Sequence, residues 1–149
     1  MAERTLILVK PDGVQRGLVG VVVDRLERKG YRLTALKMLQ MDAEMARRHY
    51  SEHVEKLFFG ELAEFITSGP LVALVAEGPG AVAGVRKMVG ETNPADSAPG
   101  TIRGDYALTI SMNIIHASDS PERAETEVSL FFTSAEIFDY SRDVERWIL

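Results

Sequence analysis

The segment Asn113-Ile114-Ile115-His116-Ala117-Ser118-Asp119-Ser120 places an imidazole at the end of an apolar run, then follows it with small polar residues and a helix start. The chain has only 3 histidines, so one presented this way is informative. Imidazole, with an ordinary pKa of about 6.5, is largely neutral and nucleophilic near neutral pH. His116 therefore has three readings: a nucleophile, a metal ligand, or a packed side chain with one satisfied hydrogen bond. The helix opening at Ser120-Pro121 offers backbone donors and a positive dipole end, which suit an anionic group. Glu127 lies three residues after Ala124 on the buried stripe of that helix, so it leans partly inward. A carboxylate there can fix the orientation and tautomer of an imidazole. An ordinary solvent-facing glutamate is the equal alternative.

Lys10, Arg86 and Arg103 are the candidate cations. With Thr92 and Asn113 they could form a polar cradle for a polyphosphate, although spacing alone does not show that they converge. Three other patterns carry less. Gly78-Pro79-Gly80-Ala81-Val82-Ala83-Gly84 has the spacing Gly-x-Gly-x-x-x-Gly, one residue too long for a dinucleotide loop, and Pro79 removes a backbone donor. It reads as a plain turn. No Gly-x-x-x-x-Gly-Lys-Ser/Thr loop occurs, so phosphate handling must rest on side chains. His49 and His53 share a metal-ligand spacing but lack an evident third ligand. They are expected to be solvent-facing or capping residues.

Composition narrows the function class. The 149 residues fit a single domain spanning 1–149, with enough chain to bury a core. Apolar residues make up 46% and charged residues 26%, an ordinary globular balance. A formal net charge of -5 argues against broad binding to nucleic acid or anionic membrane. The absence of cysteine excludes disulfides and thiolate catalysis. Apolar runs are too short to span a membrane. The opening Met-Ala-Glu-Arg runs at once into a strand pattern without a signal-peptide layout. A cytoplasmic protein is the expectation.

The elements that must position these residues follow from periodicity. Thr5 to Val9 is a short branched apolar run, read as a buried strand that Lys10-Pro11-Asp12-Gly13 ends in a turn. Val19, Val22, Val23 and Leu26 repeat at helical spacing up to Gly30. Residues 31 to 41 alternate as a second strand, interrupted by Lys37. Asp42 caps a short helix to about His49, and Phe59, Leu62, Ala63 and Ile66 mark another, ended by Gly69-Pro70. Leu71 to Ala76 is a third strand, and Val82, Val85 and Val89 mark a helix closed by Gly90. Residues 91 to 105 show no apolar period and read as a long functional loop. Tyr106 to Ile115 reads as a strand-like return. Ser120 caps a helix with Ala124, Val128 and Phe131 inward. Thr133 to Glu136 has the form of a capping box. This order predicts helices packed against one small sheet.

Several of these motifs together resemble the nucleoside diphosphate kinase family. The active-site signature is similar over Asn113 to Ser120. Val9-Lys10-Pro11-Asp12-Gly13-Val14-Gln15-Arg16-Gly17, Ser68-Gly69-Pro70, Gly90-Glu91-Thr92-Asn93-Pro94-Ala95-Asp96 and Pro99-Gly100-Thr101-Ile102-Arg103-Gly104-Asp105 extend the resemblance over essentially the whole chain. The resemblance implies an α/β fold, a ferredoxin-like α+β sandwich with a four-stranded antiparallel sheet. It implies transfer of a γ-phosphoryl group from ATP or another nucleoside triphosphate to a nucleoside diphosphate, with Mg²⁺ carried on the nucleotide. His116 would be transiently phosphorylated, with Ser118 and Glu127 supporting it and Tyr50 nearby. Lys10 and Asn113 would contact the ribose, while Arg86, Thr92 and Arg103 would hold the terminal phosphates. Phe58 would stack on the base, with Ile110 on its other side. No residue is implied as the ligand of a protein-held metal. A homo-oligomer, tetramer or hexamer, is expected, and the long loop resembles the family's subunit-contact loop. A non-catalytic nucleotide-binding module on the same fold is the alternative, which a lost histidine or lost phosphate ligands would favour. Ala117 departs from the pattern, standing where many members have glycine; its methyl matters if the backbone there needs positive φ.

Overall fold

A computed structural model describes residues 2–149. Four strands form one sheet in the order β2-β3-β1-β4, with every neighbouring pair antiparallel. The strands are β1 (Glu3–Val9), β2 (Arg32–Leu39), β3 (Leu71–Gly78) and β4 (Ile115–Ala117). The helices are α1 (Pro11–Gln15), α2 (Val19–Lys29), α3 (Ala43–His49), α4 (Phe59–Ile66), α5 (Ala81–Val89), α6 (Ile102–Tyr106) and α7 (Pro121–Phe131). This is the expected ferredoxin-like α+β sandwich. No helix among the described residues is long and apolar enough to cross a membrane.

Alternation along β1 and β3 builds two cores, because successive side chains leave opposite faces of a strand. Ile7, Val9, Val72 and Leu74 pack with Val22, Leu26, Val85 and Val89 from α2 and α5. Leu6, Leu8, Ala73 and Val75 pack on the other face with Ala46, Ile66, Val128 and Phe131 from α3, α4 and α7. Burial on both faces explains why β1 reads as a continuous apolar run rather than an alternating one.

Most caps follow the sequence. Asp42 accepts from the Met45 amide, Ser120 from the Arg123 amide, and the Thr133–Glu136 capping box is present. Three expectations are corrected. Lys10 to Gly13 does not form a simple turn: Pro11 opens α1, where its missing N–H costs nothing. The loop at 91 to 105 is not irregular throughout, because a 3₁₀ turn covers Pro94–Asp96 and α6 begins at Ile102, capped by the Thr101 hydroxyl on the Gly104 amide. Tyr106 to Ile115 is not a strand. It ends α6, passes a 3₁₀ turn at Ile110–Met112, and pairs only from Ile115 onward. Leu108, Ile110 and Met112 are exposed, so the apolar residues that suggested a strand are not core residues.

Candidate active site

Register decides where the histidine points. His116 lies directly across from Leu8, and directly opposed side chains share a face of the sheet. Leu8 belongs to the face covered by α3 and α7, so His116 meets those helices. Ser118, two residues on, returns to the same face. Its amide donates to the Leu6 carbonyl at 3.1 Å, and its hydroxyl accepts from the Leu6 amide at 3.2 Å.

Glu127 comes to the pair from α7 and is buried, not solvent-facing. Its Oε1 accepts the Ser118 hydroxyl at 2.6 Å and lies 3.1 Å from His116 Nε2. Burial alone would push this carboxyl up, but the His116 and Ser118 hydrogen bonds with the His116 charge outweigh it and hold the pKa at about 2. Glu127 is therefore an acceptor at neutral pH. His116 Nε2 must carry the ring proton, which leaves the Nδ1 lone pair free.

The strand enters this site through a strained residue. Ile114 has φ 61°, the one non-glycine residue with positive φ among those described. Such a value is an outlier for a β-branched side chain. Its amide donates to Asp12 Oδ2 at 3.0 Å, its carbonyl accepts from the Lys10 amide at 2.9 Å, and its side chain is buried. Ala117, by contrast, sits in β4 without positive φ, so its methyl needs no strained backbone.

The cations converge on the ends of these elements. Lys10 Nζ donates to Asn113 Oδ1 at 2.8 Å, and Asn113 Nδ2 donates to the Thr92 carbonyl at 2.9 Å. Burial, reinforced by Arg103, brings the Lys10 pKa down to about 8. Arg103 is buried and donates to the carbonyls of Asn113 and Glu91, each at 3.2 Å, and to that of Ile115. It thus braces the backbone on both sides of Ile114. Arg86 Nη1 donates to the Ala117 carbonyl at 3.1 Å. A cavity of about 230 Å³ opens among Arg86, Thr92, His116, Tyr50 and Asp119. Burial raises the Tyr50 pKa to about 12, so its phenol stays protonated.

Phe58 and Ile110 stand outside this cluster, both exposed, on the turn before α4 and on the 3₁₀ turn at Ile110–Met112. The Phe58 ring lies 5.6 Å from that of His53, which lines the cavity.

Two neighbours escaped sequence reasoning. His49 is buried, correcting the expectation of a solvent-facing or capping residue, and its ring meets the His116 ring edge-on at 4.8 Å. The available signal was its place three residues after buried Ala46 on α3. Arg123 bridges Glu52 at 2.9 Å and Glu127 Oε2 at 3.6 Å. Only its α7 spacing to Glu127 hinted at this.

The nucleoside diphosphate kinase family model matches residues 3–137. The chain belongs to the nucleoside diphosphate kinase family. A nucleoside diphosphate kinase of Archaeoglobus fulgidus is 58% identical, over 98% of this chain and 97% of that protein. One from Parafrankia is 63% identical over 88% of this chain and 96% of that protein. Among solved structures, the Halobacterium salinarum enzyme in complex with CDP superposes with a TM-score of 0.97 at 48% identity, covering 100% of this chain and 99% of that one. A family protein from Babesia bovis gives a TM-score of 0.97 at 46% identity, covering 99% of both. The chain is thus a phosphotransferase of the nucleoside-diphosphate kinase class.

Proposed function

We propose that His116 carries the phosphoryl group between a nucleoside triphosphate and a nucleoside diphosphate. The observation that carries this reading is the Glu127 carboxylate at 3.1 Å from His116 Nε2, which aims the Nδ1 lone pair away from Glu127. In the first half-reaction Nδ1 attacks the γ-phosphorus, and the bond from that phosphorus to the β–γ bridging oxygen breaks. The nucleoside diphosphate leaves with that electron pair. In the second half-reaction a terminal oxygen of the incoming diphosphate attacks the same phosphorus, and the P–N bond breaks back to the ring. Nε2 keeps its proton throughout, and Glu127 balances the positive charge that develops on the imidazole.

The remaining roles are assigned by position. Arg86 and Thr92 hold the terminal phosphates beside His116. Arg103 adds charge there while bracing the strand. Lys10 and Asn113, already hydrogen-bonded to each other, present one polar edge to the ribose. Phe58 stacks on the base, with Ile110 on its other side; stacking is tolerant of base identity. The Tyr50 phenol remains a donor beside the nucleophile.

Mg²⁺ takes oxygen ligands and keeps several waters. The exposed Asp119 carboxylate lines the cavity and would offer a nucleotide-borne Mg²⁺ an oxygen group. The ion would neutralise charge on the phosphates.

ATP and other nucleoside tri- and diphosphates are the partners, and the chain acts as one unit in the cytoplasm, where those nucleotides are met. Exposed Leu36, Met38 and Phe138 offer apolar surface that further copies can cover, as a tetramer or a hexamer. Initial velocities at varied triphosphate and diphosphate test the mechanism: parallel double-reciprocal lines are expected, and intersecting lines would mean a direct transfer that bypasses His116.

A further inference from the structure

His49 is buried, yet its Nδ1 has no hydrogen-bond partner. Such an atom carries a desolvation cost that a phenylalanine in the same place would not. The group lies in a cluster: one ligand atom each from His49, His116 and Glu127, all within 4.8 Å of one another. The spacing of His49 and His53 offered no third ligand, whereas the fold sets His49 beside His116 and Glu127. We propose that His49, His116 and Glu127 bind a borderline transition-metal dication such as Zn²⁺, and that the bound ion keeps His116 from being phosphorylated.

The donor set favours this chemistry. Two imidazoles and one carboxylate suit Zn²⁺, whereas the Mg²⁺ of a nucleotide prefers oxygen throughout and does not compete. Bonds of about 2.0–2.2 Å place tetrahedral ligand atoms about 3.4 Å apart. His116 Nε2 and Glu127 Oε1 already stand 3.1 Å apart and all three ligand atoms lie within 4.8 Å of one another, so closure needs a shift of His49 on the order of an ångström. Arg123 is the cation facing Glu127, and it retains Glu52 at 2.9 Å as its own partner. The adjoining cavity, about 230 Å³, leaves room for water as the fourth ligand.

Ligation through Nε2 moves the ring proton to Nδ1, so the lone pair that would attack phosphorus is lost for as long as the ion is bound. This consequence rests on the phosphohistidine reading; the metal site itself does not.

Calorimetric titration of nucleotide-free, Mg²⁺-free protein with ZnCl₂ tests the site. One ion per chain is expected, with affinity on the order of micromolar. His49→Phe and His49→Gln should each weaken it about tenfold or more, whereas His53→Gln should leave it unchanged. No binding below about 100 µM, or equal binding by both His49 variants, overturns the proposal. In a second arm the protein, with and without saturating ZnCl₂, is incubated briefly with γ-labelled Mg-ATP. Loss of labelling in the zinc-loaded protein is expected, and undiminished labelling overturns the block. Zinc-free protein that takes no phosphoryl group from ATP contradicts the phosphohistidine reading alone, because the first arm needs no nucleotide.

Discussion

Glu127 Oε1 receives both the Ser118 hydroxyl, at 2.6 Å, and His116 Nε2, at 3.1 Å, so a single buried oxygen orients the residue proposed to be phosphorylated. Glu127→Gln keeps the shape but removes the anion that balances the charged imidazole. The turnover number should fall by about 100-fold, equivalent to roughly 2–3 kcal/mol of transition-state stabilisation. KM for nucleotide should change by no more than about twofold, since uniform binding is untouched. A loss confined to KM would remove Glu127 from the orienting role.

Phe58 is exposed and set apart from the phosphate cluster. Replacement by alanine should weaken adenine, guanine and cytosine nucleotides alike, on the order of tenfold each, because the lost stacking does not depend on the base edge. Equilibrium binding of the three diphosphates checks this. Strong loss for one base alone would mean edge recognition by some other residue.

Arg103 binds the carbonyls of Glu91, Asn113 and Ile115, which makes it as much a strut as a phosphate ligand. Arg103→Met should cost ~3 kcal/mol by leaving buried carbonyls unpaired, lowering the thermal midpoint by about 10 °C. Arg103→Lys should recover little of this, because an ammonium cannot span the same fork. A full-stability lysine variant would show that the carbonyls find other donors.

Acid stability follows from two depressed pKa values. Burial, then His116, lowers His49 from 6.5 to about 3, so the unfolded chain binds the proton more readily. Its contribution is complete above pH 6.5 and is lost as pH falls toward 3. For Glu127, burial is outweighed by its hydrogen bonds, which take it from 4.5 to about 2; that contribution is complete above 4.5 and lost between 4.5 and 2. Thermal midpoints should therefore begin to fall just below pH 6.5. In His49→Phe the fall should start only near 4.5. An unchanged profile in that variant would show that His49 is not held neutral by the fold.

The long strands and helices were legible because two-faced burial and helical repeats write themselves into composition, as at Leu6 to Val9 and at Ala124, Val128 and Phe131. The approach to the site was less so. Thr101 and Ile102 open a helix inside what reads as loop, and the apolar residues near 108 to 112 face outward, so periodicity pointed to a strand that does not form. The bent entry at Ile114 leaves no local mark, because its strain is held by Asp12 and Lys10, about a hundred positions away in sequence. The burial of His49 is hidden for the same reason: its neighbours His116 and Glu127 arrive from β4 and α7, and only the fold brings them together.

Phosphoryl transfer through His116 Nδ1 can be followed by brief incubation with γ-³²P-labelled ATP, then isolation and ¹⁵N-resolved NMR of the phosphorylated protein. An acid-labile, base-stable label is expected on His116 Nδ1, chasing onto added nucleoside diphosphate and missing in His116→Ala. Label on Nε2 or on another residue, or normal turnover by His116→Ala, would contradict that transfer.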